Sequence, residues 1–430
     1  MQQTRSSLYK PSNTYLLHLW LSRMLWLGLA MAAAMTIGVV AYRVLFSQPS
    51  VGTAIANGFD EPIVIIKGGT YTGNWVSSNS NVPAVEIKTS EPVIIANSTI
   101  RGAGYLIKSW GHSADLTVRN TTGYGIRPTM YVGSKKPRRF ITLNNFKNLV
   151  VEHNYLVGTA GIYLGESYDG DGSTSQTVKI RYNKVRNIDG RVFGGEYERS
   201  QFVQFNFVNP IPHAEIAWNE VINEQGNSLV EDNINIYNTR GTPDSPIRIH
   251  NNYIEGAFPF PVTEKKYTGG GIITDSPGTD SLRATAHLKI YDNQLVGLGN
   301  YCIGIAGGNH IEVYNNTGIV AAAFDDGTAY PFWTSGIWAR DYYDTKATYN
   351  NRMYQNTLSV VGKSGSWRNE IMAGIEKAAN TFDNIILEEK ATKEMERLEY
   401  LKWQQKLDSV EIVPGPQPAT STAGAITHPH

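Results

Sequence analysis

A chain of 430 residues with one cysteine, Cys302, has no means of closing an internal disulfide. That residue lies in Tyr301-Cys-Ile-Gly-Ile305, an apolar strand-like run, where a small buried hydrophobe is the fitting role. An excess of charge is also missing, since Lys plus Arg and Asp plus Glu both total 38. Without a basic surplus the chain shows no footprint of nucleic-acid binding, and nucleic acid is not expected as a partner. Segments long and periodic enough to be crossover helices are absent between the strand-like runs of residues 61–365. That excludes a doubly wound α/β sheet.

Long hydrophobic runs are equally scarce. Residues 24–42 (MLWLGLAMAAAMTIGVVAY) form an uncharged stretch of 19 residues, close to the roughly 20 that cross a bilayer as a helix. Arg5, Lys10 and Arg23 precede it and only Arg43 follows closely. The positive-inside bias then predicts a cytoplasmic segment at 1–23 and a transmembrane signal-anchor at 24–46. A single-pass protein with its remainder extracytoplasmic is the expectation, in the periplasm or at the cell surface. The competing reading is secretion after signal cleavage near Ala54-Ile-Ala56, although that site lies well past the apolar run. Residues 47–60 read as a Ser/Gly/Asn linker.

What the chain has in quantity is glycine, at 41 residues, and tyrosine, at 24, in short strand-like pieces separated by turns. One pattern recurs: an aliphatic, two variable residues, asparagine, one variable residue, an aliphatic. It appears as Val151-Glu-His-Asn154-Tyr-Leu156, Ile180-Arg-Tyr-Asn183-Lys-Val185 and Ile216-Ala-Trp-Asn219-Glu-Val221. It continues as Ile249-His-Asn-Asn252-Tyr-Ile254 and Ile290-Tyr-Asp-Asn293-Gln-Leu295, and fades at Val313-Tyr-Asn-Asn316. The asparagines are spaced by 29, 36, 33, 41 and 23 positions, the irregular step of a stack whose turns carry insertions. A second strand follows in each unit, as in Gly161-Ile-Tyr-Leu-Gly165, Phe202-Val-Gln-Phe205, Ile234-Asn-Ile236, Gly271-Ile-Ile-Thr274, Ile303-Gly-Ile305 and Gly336-Ile-Trp-Ala339. Alternating inward aliphatics mark these as half-buried strands. Earlier runs at Pro62-Ile-Val-Ile-Ile66, Ala84-Val-Glu-Ile87 and Pro92-Val-Ile-Ile-Ala96 have the same character.

Strands that repeat without helices, each rung closed by turns, are what a parallel β-helix requires, an all-β, single-stranded coil with rungs about 4.8 Å apart. Its parallel connections are expected to be right-handed. An asparagine at the same point of each rung forms an amide ladder, so these residues are read as scaffold and not as chemistry. The repeat resembles the right-handed parallel β-helix of the pectin lyase-like superfamily over about residues 61–365. It is most similar to the bacterial right-handed parallel β-helix repeat proteins, whose rungs specify the fold and not a reaction. Residues 366–410 are expected to form a C-terminal helix. In its first part Ile371, Ile375, Ala378, Phe382 and Ile385 recur at helical spacing, as in a cap over the open end of the stack. In its charged second part a solvated extension competes with an oligomerisation arm. Residues 411–430 are Pro/Thr/Ala-rich and expected to be disordered.

Outward positions suggest a polysaccharide surface, because successive sugars can lie along successive rungs. Strand alternation places Tyr163, Gln204, Asn235 and Trp338 in one column and Asn206, Tyr237, Asp275 and Arg340 in the next. Near them fall Glu231 and Asp232 at a rung corner, Arg191 and Arg199 in the loop before it, and Lys266 in a later loop. Hydrolysis would use two carboxylates, Asp232 with Asp275 or Glu231. Lyase or epimerase action on a uronic acid would use a base with cationic groups such as Arg199, Arg191, Lys266 or Arg240. A glycan-binding, adhesive or structural β-helix without turnover is the alternative. The resemblance does not supply a catalytic motif: neither the calcium-carboxylate arrangement of pectate lyases nor the paired aspartates of polygalacturonases is matched. Cofactors are not expected. Calcium is the one ion the sequence raises, at Tyr168-Asp-Gly-Asp-Gly172, which lacks the further ligands of a calcium loop. The histidines His153, His213, His250, His287 and His310 sit in or beside repeat turns without zinc-site spacing.

Overall fold

The computed structural model describes residues 58–127, 136–192, 196–365, 367–372 and 378–418. The repeating strands pair in parallel and stack as a parallel β-helix. An eleven-stranded sheet runs from Asn74–Ser77 to Ile385–Ile386. A 21-stranded sheet comprises the two other sides of the coil, joined through one long strand, Ile141–Glu152, that turns the corner between them. Each rung thus contributes to three columns. The first column includes Ile162–Tyr168, Val203–Val208, Asp232–Tyr237, Gly270–Asp275 and Ile303–Ile305. The second includes Val178–Arg181, Glu215–Ala217, Ile247–His250 and Ala286–Tyr291.

Why these sequences form strands is visible in their register. In the second column Val118, Val151, Ile180, Ile216, Ile249, Ile290, Val313 and Met353 lie directly over one another. All of them are buried. Aliphatic side chains at a period of two fill the coil interior, and each fully buried one contributes about 1.5–3 kcal/mol.

The turn between the second and third columns is set by the asparagines. Asn183 Nδ2 donates to Asn219 Oδ1 at 2.9 Å and to the Val151 carbonyl at 2.9 Å, and Asn219 and Asn252 repeat this. The residue before each ladder position has a positive φ, as at Tyr182 (58°), Trp218 (57°) and Asp292 (54°). That left-handed residue turns the chain and aims the amide inward. The ladder does not fade at Asn316. It continues through Asn356 and Asn384, with Nδ2 to Oδ1 distances of 2.9 Å at both steps. Two residues before the ladder a second stack forms on the outside: His250, Tyr291, Tyr314, Tyr354 and Phe382 lie ring on ring at 4.7–5.2 Å.

Several expectations are corrected. Among the described residues of 366–386 there is no helix: Ile371–Met372, Ala379–Phe382 and Ile385–Ile386 complete a further rung, because Asn384 extends the ladder. Of the apolar series, Ile371, Phe382 and Ile385 occupy strand positions and Ala378 directly precedes a strand, while Ile375 lies outside the described residues. The α-helix here is shorter, Lys393–Ser409. It neither covers the open end nor projects into solvent, but lies back along the third column. Trp403 is fully buried against Tyr253 and Trp218. Gln294 donates to Glu399 at 2.8 Å. The expected disordered tail begins as an ordered strap, with Gly415 N donating to the Tyr182 carbonyl at 2.7 Å; residues 419–430 lie outside the described residues.

The expected membrane-spanning helix is corrected in both fold class and localisation. Among the described residues no helix is long and apolar enough to cross a membrane. The described helix is charged, and packs Trp403 and Leu407 on the coil. Residues 1–57, which include the expected cytoplasmic segment 1–23, the anchor at 24–46 and nearly all of the 47–60 linker, lie outside the described residues.

The ladder yields a direct test. Asn219→Ala removes the acceptor of the Asn183 backbone N–H, one acceptor of the Asn183 side-chain amide, and the side-chain donor to the Ile180 carbonyl and Asn252 Oδ1, all in a dry turn. Urea unfolding should show a loss of at least about 2 kcal/mol, from a cost of roughly 1–3 kcal/mol per orphaned buried group. A loss below about 0.5 kcal/mol, as at ordinary surface sites, would show that the ladder is not structural.

Candidate functional site

The outward face of the first column is the candidate site. Pairing places Tyr163, Gln204, Asn235, Ile273, Gly304 and Trp338 in one line, one per rung. Tyr237 pairs with Asp275, and Gly165 with Asn206, in the next line. Arg340 follows the last paired residue of its strand, and its amide donates to the Ile305 carbonyl at 2.9 Å. Gly304 has a packing role here: a Cβ on it would stand 2.7 Å from the Trp338 indole, which lies across it. Gly270 does the same for Tyr301, since a Cβ there would stand 2.6 Å from that ring. Gly270 pairs with Asp232, so the bare backbone lets the Tyr301 ring reach across the intervening rung to the carboxyl two rungs below its own.

Two carboxyls converge there on one amide. Asn235 Nδ2 donates to Asp275 Oδ2 at 2.9 Å and to Asp232 Oδ2 at 3.3 Å. The other oxygen of each accepts a phenol: Tyr301 donates to Asp232 Oδ1, and Tyr343 to Asp275 Oδ1 at 2.7 Å. Asp232 is 4% exposed and Asp275 7%. Ile273, Tyr301 and Ala306 form a small apolar cluster around them, with Trp338 and Tyr343 packed on it. Asn235 Oδ1 is buried without a partner.

This setting raises the pKa of both carboxyls. Burial holds the Asp232 carboxyl well above the ordinary carboxylate range, and the negative charges of Glu231 and Asp275 add to it. The bonds from Tyr301 and Asn235 oppose the shift without cancelling it. Asp275 is also raised by burial, against the bonds from Tyr343 and Asn235 and the positive charge of Arg199. One carboxyl is therefore held strongly towards its acid form, next to a second with a cation in its field. Such a divided pair is the usual arrangement for acid–base work.

Other residues expected at the site are placed less centrally. Glu231 accepts from Thr268 at 3.3 Å and pairs with Arg199 at 3.8 Å, at the rim. The Arg199 side chain is largely exposed, while its carbonyl is fixed by the buried Arg139 guanidinium at 2.9 Å. Arg191 is not brought to the carboxyls. It is bound to Asp189 at 2.8 Å and to the Asn227 carbonyl, and lies over Phe260. Lys266 is exposed on its loop, whose backbone is tied to Glu264. In the turn at 168–172, Asp169 accepts from Ser113 and Ser167, and Asp171 from Ser173 N. Among the described residues no group of three or more His, Cys, Asp or Glu side chains is arranged to hold a metal ion.

The sequence reading missed Tyr301 and Tyr343. Tyr301 was findable, because it precedes the strand that pairs with the Gly270–Asp275 strand. Tyr343 sits in an insertion outside the register and gave no signal. Comparison with protein-family models, with curated proteins and with solved structures finds no match for this chain.

The raised Asp232 pKa has a consequence for stability. A carboxyl with a folded-state pKa above its unfolded value favours the fold while protonated, below about pH 4, and that gain is lost as pH rises through the raised value. Asp232→Asn removes the cost of ionisation. Thermal unfolding should therefore show the variant gaining most at pH 8 and little at pH 4. The gain should be about 1.4 kcal/mol for every pH unit that separates the folded and unfolded titrations. An equal effect at both pH values would contradict the shifted carboxyl.

Proposed function

We propose that this chain is a carbohydrate-active β-helix of the right-handed, pectin lyase-like kind, which binds an extended glycan along its first column and hydrolyses it. The observation that supports this reading is the Asn235 amide shared by two acid-shifted carboxyls beneath an aromatic patch. Because both bond one nitrogen, at 3.3 and 2.9 Å, these oxygens lie no more than about 6 Å apart, short of the roughly 6.5–9.5 Å of inverting glycosidase pairs and compatible with the roughly 5–5.5 Å of retaining ones. Asp232, held protonated, donates to the leaving glycosidic oxygen. Asp275, with Arg199 favouring its anion, attacks the sugar, and Asp232, having lost its proton, takes one from the water that releases the glycosyl group. Tyr163, Gln204, Asn235 and Trp338 belong to a line with one residue per rung, spaced about 4.8 Å, comparable with the length of one sugar unit. A glycan hydroxyl reaching the pair would satisfy Asn235 Oδ1.

Lyase chemistry has weaker support. It needs cations at the reacting carboxylate, whereas Arg191 is held by Asp189 and Arg240 by the carbonyls of Ser281 and Leu282. Glycan binding without turnover is favoured by one observation, the deep burial of Asp232.

Release of reducing ends from a panel of neutral and acidic polysaccharides tests the proposal. Hydrolysis should be detected for at least one, and Asp232→Asn and Asp275→Asn should each lower the rate by about 10²–10⁴. Products absorbing as unsaturated uronates would point to a lyase instead. Retention of glycan without products, unchanged in Asp275→Asn, would establish a binding protein.

A further inference from the structure

Beside the first column, where its strands turn into the second, lies a cavity of about 490 Å³. Its walls come from three successive turns, including Pro210, Asn238, Arg240, Leu282, Arg283 and His287. Among the described residues its lining contains no carboxylate. The neighbouring Asp280 is engaged with the backbone amides of Leu282 and Arg283, both at 3.0 Å. Asp244 is exposed in the adjoining turn and is not part of the lining. Arg240 donates to the carbonyls of Ser281 and Leu282, which satisfies some of its protons but not its charge. Among the described residues neither Arg240 nor Arg283 forms an ion pair with a carboxylate. Burial, His310 and Arg240 together hold His287 below its ordinary value, as expected in a positive field. Asn238 Oδ1 is buried without a partner. Two apolar side chains flank the opening, Val208 at 63% exposed and Leu282 at 79%.

We propose that this cavity binds the anionic group, carboxylate or sulfate, of an acidic polysaccharide. The combination calls for such a ligand: two guanidiniums without counter-ions are matched by an oxyanion, and the exposed aliphatics suit the apolar face of a sugar ring. The cavity also abuts the catalytic candidate, since Asn238 N donates to the Asp275 carbonyl at 3.0 Å. The inference rests on the glycan reading of the neighbouring face and supplies its substrate class, an acidic rather than a neutral polymer.

Affinity electrophoresis of the full chain in gels containing polygalacturonate, dextran sulfate or unmodified dextran provides the test. Wild type should be retarded by one or both anionic polymers and not by dextran, with retardation reduced in high salt. Retardation by polygalacturonate alone identifies a carboxylate site; retardation by dextran sulfate as well identifies a general oxyanion site. Arg283→Gln and the double variant Arg240→Gln/Arg283→Gln should each weaken anionic binding at least tenfold. Lys67→Gln, on the first rung, should not. Because Arg240 also ties down the 281–282 turn, the single Arg283 variant is decisive. Binding unchanged in Arg283→Gln, or equal retardation by dextran, overturns the inference. If wild type binds acidic polymer through Arg283 but cleaves nothing, hydrolysis fails and this site stands. If it cleaves glycan while Arg283→Gln binds acidic polymer undiminished, the reverse holds.

Discussion

One amide per rung is the constraint on which everything else in this molecule depends. Each ladder asparagine closes a turn entered through a left-handed residue, and it bonds both the turn below and the turn above. Because the amide spans two rungs, it fixes the register of the strands on either side of it. That register stacks the inward aliphatics. It also aligns the outward residues, so a side chain on one rung has defined neighbours on the next. Insertions occur elsewhere in the rung without disturbing this alignment.

The candidate site draws on that alignment at two places. Gly270 pairs with Asp232, and its missing side chain makes room for Tyr301. Asn235 reaches carboxyls on two rungs because pairing sets Tyr237, two residues on, beside Asp275. Neither acid would be tolerable alone at such depth. Burying a carboxylate without partners costs several kcal/mol, and here the phenols of Tyr301 and Tyr343 and the shared amide offset part of that cost. The remainder is expressed as a raised pKa, which is the property an acid catalyst needs. Scaffold and candidate site are therefore divided by column: the asparagines stabilise the turn between the second and third, and the acids lie on the first.

Much of this was legible in the sequence, and the failures have physical causes. The rung pattern, the parallel stack and the line Tyr163–Gln204–Asn235–Trp338 followed from counting between asparagines, because strand periodicity is strict once the register is known. The ladder's last two members were overlooked: Met353-Tyr-Gln-Asn356-Thr-Leu358 fits the pattern, while Thr381 replaces the aliphatic before Asn384. Without them the final rung imitated a helix, since short strands and turns can place apolar residues at 3–4 spacing. The external ring stack through Tyr291, Tyr314 and Tyr354 was hidden in positions read as variable. Tyr343 could not be inferred, because a loop's path is not set by its own periodicity. Arg191 was misassigned for the opposite reason: loop proximity in sequence does not reveal that Asp189, two residues away, holds the guanidinium.

One property is central to the proposed chemistry: burial holds the Asp232 carboxyl well above the ordinary carboxylate range while its neighbour shares the same amide. Infrared spectroscopy of the protonated carboxyl stretch, taken as wild type minus Asp232→Asn, reads this without any substrate. A difference band that persists well above the ordinary Asp value of roughly 3.9 is the predicted result. A band that disappears by about pH 5, as for an ordinary solvated carboxyl, would contradict it.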